Sequence, residues 1–112
     1  MPRYSRRRRA EPLHIYTDGC ALRNGQPGAK GGWAIVYELG DFQDDYGYCT
    51  DDPQTNNRFE LEAIGQALER SVEFEYVEAH SGNWFNEKAD RLAKKAAFMN
   101  PLYSNYDYNY RC

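Results

Sequence analysis

A mixed sheet flanked by helices, an α/β domain, is predicted by three patterns in the chain. Side chains alternate from Leu13 to Asp18 and again from Val72 to Ala79, the period of two that strands show. A continuous apolar run, Trp33 to Tyr37, lies between them. Stretches beginning near Asn57 and Asn86 place apolar residues three and four apart, as helices do. Strands followed by helix, strand and helix suit one sheet covered by helices.

In the first strand Leu13, Ile15 and Thr17 share one face and His14, Tyr16 and Asp18 the other, and Gly19 is read as its end. A carboxylate therefore sits at the C-terminal end of a buried strand. Asn24-Gly25, Gly28 and Gly31-Gly32 read as a glycine-rich loop leading to the second strand. Gly40-Asp41 is a plausible hairpin turn into a third, more polar strand within residues 42–50, which the aspartates and Pro53 end.

The first helix is expected from about Asn57, with Leu61, Ile64, Gly65 and Leu68 as its inward stripe. At 100° per residue Glu60 lies about 40° from Ile64, on the margin of that stripe. Taken alone, Glu60 is read as the partner of an Asn57 N-cap in a capping box rather than as a ligand. In the strand from Val72 the glutamates Glu73 and Glu75 argue for an edge, or for a face open to water. The last helix is expected over residues 86–98, where Ala89, Leu92, Ala93, Ala96 and Ala97 form the buried stripe. Asp90 borders it, about 20° from Ala97 in projection. It suits either a site facing the sheet or a surface pair with Lys94.

At 112 residues and 13.0 kDa the chain accommodates one modest domain. It divides into a basic arm (1–12), a folded body (13–100) and a Tyr-rich tail (101–112). Five of the 14 Lys and Arg residues are Arg3 and Arg6 to Arg9, whereas all 17 Asp and Glu lie from Glu11 onward. The arm suits a solvated tail or a nuclear-import signal, and equally a tether to phosphates. The tail, Tyr103 to Tyr110, is low in complexity; disorder is expected there, although exposed tyrosines can also stack on bases. Nothing resembles a signal peptide or a membrane span. Cys20, Cys49 and Cys112 are odd in number and scattered, which suits free thiols in a reducing compartment and an intracellular protein, nuclear or cytoplasmic.

Taken in order, the motifs resemble type 1 ribonuclease H. Tyr16-Thr17-Asp18-Gly19 with Cys20 and Asn24-Gly25 matches the family's opening strand and loop. Thr55-Asn56-Asn57-Arg58 with Glu60 matches its second signature with one Gln-to-Asn change, and Val77, His80-Ser81-Gly82, Asn86-Glu87, Ala89-Asp90 and Leu92-Ala93 match its third. The resemblance covers most of residues 13–97. It implies a ribonuclease H-like fold and a divalent-metal-dependent endonuclease that hydrolyses the RNA strand of RNA/DNA hybrids. Asp18, Glu60 and Asp90 would ligate two Mg²⁺ or Mn²⁺ ions, and His80 would assist proton transfer or product release. Asn24, Asn56 and Asn57 would contact the hybrid, some of them at RNA 2′-hydroxyls.

One departure stands out. The family carries a further strand ending in Thr-Asp-Ser, then several helices, between the first helix and the strand at Val72. Here only Glu69, Arg70 and Ser71 occupy that interval, so the fold is reduced in size. The aspartate of the missing strand is a metal ligand in the family, which raises the alternative of a catalytically impaired protein that binds hybrid or RNA. Closing the gap would bring Val72 to Val77 beside the first strand, and would place Glu78 near the end of the sheet that carries Asp18, as a conceivable replacement ligand.

Overall fold

The computed structural model describes residues 14–38, 42–70, 75–78 and 84–108, with backbone alone for 75–78. The elements run β1 (His14–Leu22), β2 (Lys30–Tyr37), β3 (Asp45–Gly47), α1 (Asn56–Arg70), β4 (Glu75–Glu78) and α2 (Trp84–Met99). The strands form one sheet in the order β3-β2-β1-β4. β1 pairs with β2 and β2 with β3 antiparallel, while β4 lies parallel to β1, so the sheet is mixed. β4 occupies the edge of β1 that a missing strand would have left open.

The period of two in β1 divides two cores. Ile15 packs with Trp33, Ile35, Tyr37 and the α1 residues Phe59, Ala63 and Ala67 on one face. On the other, Cys20, Leu22 and Ala34 meet Ala93 and Ala97 of α2, and Tyr16 and Val36 meet Ala89. β2 is buried along its whole length because helices cover both of its faces. The small residues let those helices come close: a Cβ at Gly31 would overlap the Phe59 ring, and one at Gly32 would meet Ala96 and the Ala97 backbone. Gly31 and Gly32 are therefore strand residues chosen for close approach, not members of the loop expected from the sequence. β1 likewise runs past Gly19 to Leu22, so Asp18 is inside the strand rather than at its end.

α1 departs most from expectation. Its buried face is Phe59, Ala63 and Ala67, whereas Leu61 and Leu68 are 69% and 57% exposed. The stripe Leu61, Ile64, Leu68 has helical spacing but points away from the sheet. The helix also begins one residue earlier than expected. Thr55 is its N-cap, accepting a hydrogen bond at Oγ1 from the Arg58 amide at 3.2 Å, and Asn57 falls in the first turn. At the other end Arg70 ties α1 to β3 through Asp45, at 2.7 Å, with its guanidinium 5.5 Å from the Trp33 ring centroid.

A buried polar network holds the end of α2 against β2. Asn100, fully buried, donates through Nδ2 to the carbonyls of Gly31 and Cys49, while Gln54 accepts from the Gly31 amide at 2.9 Å and donates to the carbonyls of Cys49 and Asp51. Buried Lys30 donates to the Asn100 carbonyl at 2.9 Å, satisfying the end of the helix; burial lowers its pKa. Residues 101–108 turn back onto the β1–β2 connection instead of being disordered: the Tyr108 hydroxyl donates to the Gly28 carbonyl and the Tyr106 ring covers Gly28. Cys20 is disulfide-bonded and Cys49 is free, so the expectation of free thiols fails at Cys20. Among the described residues no helix is long and apolar enough to cross a membrane.

Candidate active site

Three elements bring Glu60 and Asp90 into electrostatic reach of Asp18. Asp18 is opposite Ala34 of β2, and the described β1–β4 ladder ends at Thr17, one residue before it. By the alternation of β1 it shares a face with Tyr16 and Cys20, the face that α2 covers. α2 presents Asp90 there, within electrostatic and hydrogen-bonding reach of Asp18. Asp18 is raised from 3.8 to about 7, by burial first, then by the nearby Asp90 carboxyl, with a smaller contribution from Glu60; the Gly19 amide opposes the shift.

Glu60 approaches from the other side of the sheet. Gly19 makes this possible: a Cβ there would overlap the Phe59 carbonyl group and the Glu60 amide, so the start of α1 rests directly on the β1 backbone beside Asp18. With Thr55 capping the helix, Glu60 has no place in a capping box and its exposed side chain is left to the solvent side of the site. Asp90 is half exposed and also pairs with Lys94 at 3.1 Å, so the surface pair and the contact with Asp18 coexist. Among the described residues no group of three or more His, Cys, Asp or Glu side chains is close enough together to hold a metal ion. The close pair is Asp18 and Asp90, with Glu60 farther out.

The three asparagines behave differently. The Asn24 Oδ1 accepts from the Asn56 amide at 2.9 Å, and the Asn56 Oδ1 accepts from the Ala21 amide at 2.6 Å, so both belong to a relay joining the β1–β2 turn to the start of α1. With the oxygens engaged, the NH₂ end of each side chain is the end that a ligand can meet. Asn57 is exposed on the first turn of α1. His80 lies outside the described residues. The relay was not foreseen from the sequence, which places Asn24 and Asn56 far apart. Thr55 was open to recognition, because Thr is a preferred N-cap.

The RNase H family model matches residues 10–71, more than half of the chain. The chain belongs to the ribonuclease H family. It is 26% identical to a ribonuclease H of Schizosaccharomyces pombe, with 74% of this chain and 52% of that protein covered, and 26% identical to ribonuclease H of Wolbachia pipientis wMel, with 73% and 92% covered. The chain thus spans about half the length of the fission yeast relative. Both alignments, 137 and 138 positions, are longer than the chain itself, so each relative has residues without a counterpart here. The family match stops at residue 71, where the expected further strand would begin.

Proposed function

We propose that this member of the ribonuclease H family is a divalent-metal-dependent endonuclease acting on the RNA strand of RNA/DNA hybrids. The observation that carries the proposal is the convergence of Asp90 and, farther out, Glu60 on the half-buried Asp18. Carboxylates forced together repel one another, a bound cation relieves that repulsion, and an all-oxygen donor set suits a hard dication. Asp18 and Asp90 would hold the ion and Glu60 would close on it from α1. A bound Mg²⁺ or Mn²⁺ would supply an activated water and stabilise the leaving 3′-oxygen. The chain's own part is to hold Asp18 rigidly in β1, to bring Asp90 to it on α2, and to aim the amides of Asn24, Asn56 and Asn57 at the sugar-phosphate backbone, where 2′-hydroxyls distinguish RNA. His80 follows β4 and would shuttle a proton or ease product release.

A second reading, a nuclease-impaired hybrid-binding protein, is favoured by the separation of Glu60 from the close pair and by the missing strand. Cleavage of a labelled RNA/DNA hybrid with Mg²⁺ or Mn²⁺ separates the two. For the endonuclease, the parent protein cleaves and Asp18→Asn and Asp90→Asn each nearly abolish cleavage while hybrid binding persists. Binding without cleavage by the parent protein selects the second reading, and undiminished cleavage by Asp90→Asn removes Asp90 from the site.

A further inference from the structure

We propose that the segment after α2 is a positioning clasp: Tyr106 and Tyr108 hold the β1–β2 turn in the shape that presents Asn24 and Asn56 to a hybrid. This rests on the assignment of those asparagines as hybrid contacts. The turn needs holding. Arg23, Gly25 and Gly28 have φ of 55°, 76° and 86°, so three residues within six adopt left-handed backbone, one of them carrying a side chain that disfavours it. Its internal bonds are few: the Gln26 amide donates to the Arg23 carbonyl and the Ala29 amide to the Gln26 carbonyl, and Arg23 Nε reaches the Pro27 carbonyl at 2.7 Å.

The clasp supplies the rest. The Tyr106 ring lies so close over Gly28 that a Cβ there would meet three ring carbons at 2.9 Å, and the Arg23 guanidinium lies 5.2 Å from the same ring's centroid. Tyr108 hydrogen-bonds the Gly28 carbonyl through its hydroxyl, which also lies 3.2 Å from the Tyr103 carbonyl. The base of the segment is fixed by Lys30, bonded to the Asn100 carbonyl and 4.5 Å from the Tyr108 ring centroid. Asn24 lies between Arg23 and Gly25, and its Oδ1 receives the Asn56 amide. Releasing the turn therefore frees Asn24 and removes its bond to the Asn56 backbone amide at the start of α1. Tyr106 touches no substrate in this scheme; it acts through the asparagines.

The test measures fluorescence anisotropy of an RNA/DNA hybrid and of a DNA duplex with the full chain in the Asp18→Asn background, with Mg²⁺ present. Tyr106→Ala should weaken hybrid binding about fivefold, the scale of one or two lost polar contacts, and duplex DNA binding by less than about twofold. Tyr106→Phe, which keeps the ring over Gly28 and under Arg23, should restore both. A purely structural role would lower both affinities together, and that outcome, or no change, overturns the clasp. Should Tyr106→Ala not fold, Tyr108→Phe removes a single hydroxyl and is expected to shift the same selectivity about twofold in the same direction; no shift overturns the proposal. Absence of hybrid binding by the Asp18→Asn parent removes the hybrid-binding function itself, a different failure from equal binding by parent and variant.

Discussion

Asp18→Asn should make the metal-free protein more stable at pH 8. Burial and the Asp90 and Glu60 charges hold Asp18 at about 7 against 3.8 for an ordinary carboxyl. Below the ordinary value folded and unfolded chains are both protonated and the residue is neutral to stability. Between the two values the folded protein holds a proton the unfolded chain has released, so stability falls as pH rises, and above about 7 the penalty is complete. At about 1.4 kcal/mol per pKa unit the full shift corresponds to about 4 kcal/mol. Asp90 is half exposed and water screens the pair, so about 2 kcal/mol is the working figure. For a domain of this size that is a rise of roughly 8 °C in melting temperature for Asp18→Asn. At pH 4.5 the difference should shrink to about half. Mg²⁺ at ten times its dissociation constant should recover about 1.4 kcal/mol in the parent protein alone. Calorimetric melts of both proteins at the two pH values, with and without Mg²⁺, measure this. A metal-free Asp18→Asn protein that melts at or below the parent at pH 8 refutes the crowding of carboxylates.

Gly19→Ala should cost about 3 kcal/mol or more and abolish cleavage, because the new methyl group must push the start of α1 off β1 and carry Glu60 with it; a melting temperature unchanged in the variant would contradict the close approach. Deleting residues 1–9, which hold five arginines, should weaken binding to hybrid and duplex alike and reduce the log-log salt slope by just under one for each lost phosphate contact; an unchanged slope would make the arm a targeting signal. Position 78 is level with Thr17, so the period of two assigns it to the sheet face opposite that of Asp18. Glu78→Gln should therefore change Mn²⁺ affinity less than Glu60→Gln does in a calorimetric titration, and the reverse order would make Glu78 the replacement for the missing ligand.

Where one element decides its own structure, the sequence was a good guide. The alternation of β1, the apolar run of β2 and the alanine stripe of α2 each bury what their periods indicate, and the docking of β4 beside β1 followed from the need to pair the exposed edge of β1. α1 misled because period alone does not say which of two apolar stripes faces the sheet. Small residues won: Ala63 and Ala67 permit the close approach that Gly19 and Gly31 require, whereas Leu61 and Leu68 would hold the helix away. The pairing of Asp18 with Asp90 was legible as a possibility, since each lies at the edge of an inward face. The raised pKa of Asp18, the asparagine relay and the folding back of residues 101–108 were not, because each depends on contacts between residues more than thirty positions apart.

The docking of β4 against β1 also orders events in time. His14 pairs with Glu75 across some sixty intervening residues, whereas β1 and β2 form a hairpin that α1 follows directly. Local closures cost less chain entropy, so the hairpin with α1 has the kinetic advantage in assembly, and β4 with α2 adds to a surface already made. Asp18 and Glu60 belong to the early half and Asp90 to the late one. On the proposed metal site, a dication that needs both halves would bind only once the last helix has docked, and metal uptake would then be a clock for the completion of folding.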